Sequence, residues 1–285
     1  MNRYSQYVKR IMLPKSDAPF ELTPSICFMG GGNLWTFAIG VGHFIFRTYP
    51  LENLRFLASS SGCFAAVPLA CGMDPYEWCK ADWGKCITHF TSRRIPILAR
   101  LGFGCLLDEQ QFYYNLWNDY LPEDAHKRCT GRLFISVTHF PKLSNELVSA
   151  FESREQLIQT IVASMCLPIC FIRDFPVLVP RVGSCIDGGF SNDAPCLDSY
   201  TITVSALHRE ADVRPLPPRD KADERRHPSF LDVIITPTYE RVWELAALGE
   251  KAAEQCKDFA RPEWAGQLQK PTHDNTKRPG PIAVD

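Results

Sequence analysis

Residues 25–47 read SICFMGGGNLWTFAIGVGHFIFR and residues 54–72 read LRFLASSSGCFAAVPLACG, and the pattern the two share decides the fold. Each opens with a short apolar, β-prone run, Ser25 to Met29 and Leu54 to Ala58. Each then turns on small residues, Gly30-Gly31-Gly32 or Ser59-Ser60-Ser61-Gly62, and continues into an apolar helical segment. Two consecutive strand-turn-helix units predict an α/β chain with a mainly parallel central sheet covered on both faces. The first helix is expected from Asn33 to Arg47. The second runs from Cys63 to Cys71, where Gly72 can close it. Pro68 falls inside that second helix, removes one backbone donor and crowds the carbonyl of Phe64, so a kink or an early end is expected.

Further along, Pro75 to Tyr120 reads as helical and aromatic-rich. Leu133 to Thr138 and Glu146 to Ala150 form two β-rich runs joined by a polar turn, a hairpin-like pair. A helix is expected from Arg154 to Met165 with Ser153 as its N-cap. Ser184 to Asp187 and Thr201 to Ser205 are short strands, and Tyr239 to Phe259 carries apolar residues at helical spacing. Between them, Leu207 to Pro228 is charged and proline-bearing and reads as an exposed loop. The organisation expected is an N-terminal arm over 1–20, one domain over 21–260, and a polar, proline-bearing tail over 261–285 that is expected to be disordered.

With 45% hydrophobic residues, the 285-residue chain can bury a single sizeable core. Its formal charge of −1 supplies no field for holding nucleic acid, and no basic stripe interleaved with aromatics is present. Twelve cysteines are scattered singly in apolar runs, the pattern of reduced, buried thiols in an intracellular protein. Cys166 and Cys170 are the closest pair, but no second pair at zinc spacing accompanies them, so no metal and no cofactor is expected. The apolar segment Leu34 to Phe46 is too short to span a bilayer. A soluble, cytoplasmic protein is therefore expected, with any membrane contact peripheral. Oligomeric state is not encoded in any feature of the sequence.

An exposed nucleophile on a sharp strand-to-helix turn needs small residues two positions to either side, because the strained backbone brings the flanking segments together. Ala58-Ser59-Ser60-Ser61-Gly62 meets that requirement with Ser60 at the centre. Centring the turn on Ser59 or Ser61 would put Leu57 or Cys63 at a position that must be small. Gly30-Gly31-Gly32 opens the neighbouring helix, where backbone N–H groups and the helix dipole can stabilise a developing oxyanion. The run lacks both a G-x-G-x-x-G continuation and a Gly-Lys-Ser/Thr sequel, which argues against a phosphate cradle. Asp187 ends a short apolar strand and is followed by Gly188-Gly189. It can serve as the base that a serine hydroxyl needs, or close the strand with an Asx turn.

These three blocks together resemble the patatin-like phospholipase family, in the branch of adipose triglyceride lipase. The match is carried by FMGGGNLWTFAIGVGHF, LASSSGCFAAV and IDGGFSNDAP followed by TITVSAL, with support from LFISVTHF and VSAFESREQLIQTIVASMCLPI, over roughly residues 25 to 207. What the resemblance implies is a three-layer α/β/α sandwich of the patatin type. In it Ser60 is the nucleophile and Asp187 its only partner, with no histidine. Gly30, Gly31 and Gly32 form the oxyanion hole with the N–H of Ser61, Gly62 serves the nucleophile turn, and Gly188 and Gly189 serve the aspartate loop. The expected reaction is hydrolysis of an acylglycerol or phospholipid ester through an acyl-serine, without a metal, at a membrane or lipid-droplet surface. Two departures stand out: Ala58 replaces a glycine, and Asn192-Asp193 inverts the expected Asp-Asn order.

Three other readings compete. Ser60, Asp187 and His208 occur in the order of an α/β-hydrolase triad, although His208 opens a charged loop and reads as an exposed structural histidine. His43 reads as a packing histidine. An acyl-serine can pass its acyl group to an alcohol as well as to water, which makes a lipid transacylase the alternative. A non-catalytic lipid-binding relative would keep the fold without turnover. Surface engagement is expected from the aromatic segment Phe90 to Phe112, with Arg93, Arg94 and Arg100 facing anionic headgroups.

Overall fold

The β-prone runs form the centre of one seven-stranded sheet. Its strands are β1 (Ser25–Phe28), β2 (Arg55–Ser59), β3 (Leu133–His139), β4 (Asn145–Val148), β5 (Val177–Val179), β6 (Gly183–Asp187) and β7 (Ile202–Val204). This is a computed structural model, and it describes residues 24–91, 109–168, 175–235 and 237–260. The arm over 1–20, the tail over 261–285, and the arginines Arg93, Arg94 and Arg100 lie outside the described residues.

The spatial order is β5-β6-β3-β2-β1-β7, with β4 also paired to β3. β7, β1, β2 and β3 run parallel. β4 and β6 run antiparallel to β3, and β5 antiparallel to β6. The parallel centre follows from the two strand-turn-helix units. The antiparallel β6 brings its C-terminal residue, Asp187, down to Val137 in the middle of β3.

The alternation of the strands sorts side chains to two faces. Ile26, Phe28, Phe56, Ala58, Leu133, Ile135 and Val137 join the larger apolar core. Cys27, Met29 and Leu57 point the other way, against Ala194, Leu197 and Ala211. The helices that contribute to the larger core are α1 (Trp35–Thr48), α2 (Cys63–Ala70), α3 (Pro75–Thr91), α4 (Glu109–Tyr120), α5 (Ala125–Cys129), α6 (Arg154–Ser164) and a long C-terminal helix, Tyr239–Gln255. α2 closes at Ala70, two residues past Pro68. Ser153 caps α6 by accepting the Gln156 N–H. No helix among the described residues is long and apolar enough to cross a membrane.

Two short helices lie where the sequence reads as loop or is unassigned, α7 (Lys221–Arg226) and α8 (Phe230–Ile234). They precede the long helix, α9 (Tyr239–Gln255). Charge and proline around Lys221–Arg226 hid α7, and α8, with five residues, is too short to show a period. The local signal for α8 is the spacing Ser229-x-x-Asp232, which forms a capping box. Arg241 of α9 then fixes α8 through Asp232, at 2.9 and 3.0 Å.

α1 and α9 cross backbone to backbone. A Cβ on Gly40 would come closer than 3.0 Å to the Ala246 carbonyl, and one on Gly249 closer than 3.0 Å to the Phe37 carbonyl. Gly40→Ala is therefore expected to lower unfolding stability by about 3 kcal/mol, since neither contact is a flexible side chain that could yield. Gly84→Ala, which meets nothing within 4 Å, is the control and should be neutral or slightly stabilising in urea unfolding.

Candidate active site

The three serines of the turn that follows β2 have different fates, decided by the backbone. Ser59 ends β2, and its hydroxyl is buried with no partner among the described residues. Ser60 has φ 51°, a left-handed conformation that costs a non-glycine residue about 1–3 kcal/mol and occurs where the surrounding structure enforces it. Its Oγ donates to Asp187 Oδ2 at 2.6 Å. Ser61 Oγ accepts the Gly31 N–H at 3.0 Å. Of the three hydroxyls, only that of Ser60 faces a carboxylate.

Gly62 is required by contact. A Cβ there would lie closer than 3.0 Å to the Phe28 carbonyl, so β1 and the start of α2 touch only because position 62 is glycine. Ala58, the other small residue of the frame, is fully buried in β2 opposite Phe28 and Ile135.

Ser60 and Asp187 lie on either side of β3. Ser59 is in register with Ser136, which sets Ser60 level with Val137, and Asp187 pairs with Val137 itself. β3 lies between β2 and β6 in the sheet, and the two side chains meet over it. The chain leaving Asp187 must pass tightly over β3, because a Cβ on Gly188 would come closer than 3.0 Å to the Ser136 carbonyl. Gly189 turns the strand end back and donates its N–H to Asp187 Oδ1 at 2.7 Å. Both carboxylate oxygens of Asp187 are thus engaged, one by Ser60 and one by Gly189.

Small hydroxyl residues that the sequence does not single out hold this arrangement. Ser164, at the end of α6, accepts the Ser60 N–H at 2.9 Å and donates to the Ser136 carbonyl at 2.8 Å. Thr138 donates to the Asp187 carbonyl at 2.7 Å, and the Asp187 N–H reaches the Cys166 carbonyl at 3.0 Å. Asp187 is 2% exposed, and burial pushes its carboxyl from 3.8 up to about 7. The hydrogen bonds from Ser60 and Gly189 act against that rise, and Asp193 adds to it. A base near 7 is matched to taking a serine proton at neutral pH.

The glycine loop follows β1, next to β2, so the strand order β6-β3-β2-β1 aligns Asp187, Ser60 and the loop at one end of the sheet. Ligand crevices form at the carboxyl ends of parallel strands. Gly30 donates its N–H to Asp193 Oδ1 at 3.0 Å, and Gly31 donates to Ser61 as described. Gly32 has φ 55°, and a Cβ there would lie 2.5 Å from the Val233 carbonyl, so α8 rests directly on the loop.

His208 and His43 lie elsewhere. His208 Nε2 is 3.3 Å from Asp193 Oδ2 rather than bonded to Asp187. His43 pairs with Asp74 at 2.9 Å and stacks on Tyr76. A cleft of about 810 Å³ between α9 and residues 216–227 includes neither Ser60 nor Asp187 in its lining.

A family model described as Patatin-like phospholipase matches residues 26–199. Among similar curated proteins, Omega-hydroxyceramide transacylase of Homo sapiens is 30% identical over 200 residues, covering 67% of this chain and 35% of that protein. The 1-acylglycerol-3-phosphate O-acyltransferase Pnpla3 of Mus musculus is 30% identical over 201 residues, covering 67% and 45%. Patatin-like phospholipase domain-containing protein 2 of Homo sapiens is 29% identical over 204 residues, covering 69% and 38%. The chain thus spans less than half the length of each of these relatives.

Proposed function

This chain belongs to the patatin-like phospholipase family and has its fold, and from that membership we propose that it is a lipid acyl hydrolase working through a Ser60–Asp187 dyad. The observation that carries the reading is the 2.6 Å hydrogen bond from a strained, half-buried serine to a buried carboxylate with a pKa near 7.

The reaction proceeds in two halves. In the first, Ser60 Oγ attacks the ester carbonyl carbon while its proton passes to Asp187 Oδ2. The resulting oxyanion is stabilised by the backbone N–H groups of Gly32 and Ser61, since those of Gly30 and Gly31 are taken by Asp193 and by the Ser61 hydroxyl. The tetrahedral intermediate collapses as the alkoxide leaving group takes the proton from Asp187, leaving an acyl ester on Ser60. In the second half, Asp187 takes a proton from the acceptor, which attacks the acyl-serine. Collapse then releases the product and returns the proton to Ser60 Oγ. With water as acceptor the product is a fatty acid, and with a lipid alcohol it is a new ester.

That second outcome is the runner-up reading, and the names of two relatives, a transacylase and an O-acyltransferase, favour keeping it. The substrate proposed is an acylglycerol or phospholipid, met by peripheral contact with a membrane or lipid-droplet surface. Exposed Phe190 and Leu207 support that contact, the first three residues beyond Asp187 and the second beside Gly31. The free cysteines of the described residues fit a reducing, cytoplasmic setting.

Hydrolysis of p-nitrophenyl butyrate and covalent labelling by a fluorophosphonate test the reading together. The expected result is turnover in the parent and one adduct mapping to Ser60, both lost in Ser60→Ala. An adduct on another serine, or turnover retained in Ser60→Ala, would sink it. Adding a long-chain alcohol to a turnover mixture and separating the lipid products decides between acid and ester.

A further inference from the structure

Asp193 stands where the Asn192-Asp193 order departs from expectation, and its carboxylate reaches into the neighbourhood of the nucleophile. Oδ1 accepts the Gly30 N–H at 3.0 Å, while Oδ2 lies 3.3 Å from His208 Nε2. A Cβ built on Gly30 would lie 2.7 Å from Asp193 Oδ1 and 3.0 Å from Ser60 Cβ, so this carboxylate and the nucleophile border one small volume. A Cβ built on Gly189 would lie 3.0 Å from Asp187 Oδ1 and 3.3 Å from Asp193 Oδ1, so the two carboxylates border another.

A bare carboxylate there works against acyl transfer, because negative charge developing on the substrate oxygen at the loop meets a like charge in a partly dry site. A protonated His208 removes the conflict. We infer that Asp193 and His208 form a charge-compensated positioning pair for the glycine loop. Asp193 fixes the Gly30 peptide so that the loop presents the Gly32 N–H to the acyl carbonyl, and the imidazolium of His208 neutralises the carboxylate as the oxyanion forms. The inference rests on the acyl-transfer reading of Ser60 and Asp187.

The ionisable groups facing the pair are Asp187 from the end of β6, Cys27 from β1 and Glu210 from the loop that carries His208. Burial keeps the Cys27 thiol protonated, and of all these groups only His208 can carry positive charge. The hydrogen bond with Asp193 holds the His208 imidazolium above its usual 6.5. The compensation is therefore present below that raised value and is lost as pH rises through it, which gives turnover an alkaline limb.

The test is a double-mutant cycle on p-nitrophenyl butyrate across pH, with the His208 titration followed by NMR. His208→Ala should lower kcat about tenfold with KM unchanged and abolish the alkaline limb. Asp193→Asn keeps an acceptor for the Gly30 N–H without the charge, so it should lose less of kcat than His208→Ala does and also lose the limb. In the Asp193→Asn background, His208→Ala should cost nothing. A harmless His208→Ala in the parent, or an equal loss in both backgrounds, overturns the inference. So does a loss of about 10³-fold or more, which would make His208 the catalytic base. If Ser60→Ala retains turnover, the acyl-transfer reading fails instead, and the NMR titration then decides the pair. A His208 pKa that falls toward 6.5 in Asp193→Asn supports it, and an unmoved one overturns it.

Discussion

Asp187→Asn is expected to lower kcat by about 10³-fold while making the fold more stable above pH 7. The two effects have one cause. Asp187 is held in a buried site that disfavours its charge, and burial lifts its pKa from 3.8 to about 7. A native carboxyl of raised pKa binds more protons than its unfolded counterpart between about pH 4 and 7. Stability from this group therefore falls as pH rises through that window and levels off above it. The ceiling on that loss is about 4 kcal/mol, from the size of the rise.

An asparagine at 187 carries no charge but leaves an amide to satisfy, so a gain of about 2 kcal/mol at pH 8 is expected, turning into a loss of about 2 kcal/mol near pH 4, where the parent carboxyl is protonated. Urea unfolding of parent and variant at the two pH values measures it. Turnover moves the other way in the parent, since the base must be ionised: kcat/KM should rise as pH passes through about 7. Loss of both activity and stability in Asp187→Asn would mean that the carboxylate holds the structure rather than the proton.

What could be read from the chain and what could not divide along physical lines. β1 and β2 were legible because four or five apolar, β-prone residues ending in glycine or serine leave little choice of element. The centring of the nucleophile turn on Ser60 was legible because sterics reject Leu57 and Cys63 at flanking positions. The direction of β6 was not, since nothing within Gly183–Asp187 records whether its neighbour runs with it or against it. β5, with three residues, is too short to show a period. Ser164, Ser136 and Thr138 are ordinary hydroxyls in the sequence and acquire their roles only when α6, β3 and β6 meet. Asp193 was visible as an inverted pair, but its bond to Gly30 spans 163 positions and belongs to the tertiary structure.

Gly62→Ala should be the most damaging single-methyl change at the site, expected to cost about 3 kcal/mol of stability and about 10²-fold or more in kcat/KM. A methyl group at position 62 would meet the Phe28 carbonyl carbon and oxygen and the Met29 carbonyl, all backbone, so β1 and the turn must separate. That separation moves two parts of the chemistry at once: Ser60 loses the enforced φ that aims Oγ at Asp187, and the loop at Gly30 shifts away from it. Gly40→Ala suffers the same kind of backbone collision at the α1–α9 crossing, away from the dyad. Comparing the two at a temperature where both remain folded separates geometry from stability. The Gly62 variant should be slow while folded, with the fluorophosphonate rate reduced in parallel, and the Gly40 variant near-normal per folded molecule. Equal specific activities would mean that the turn tolerates the shift and that its strain is not what aims the nucleophile.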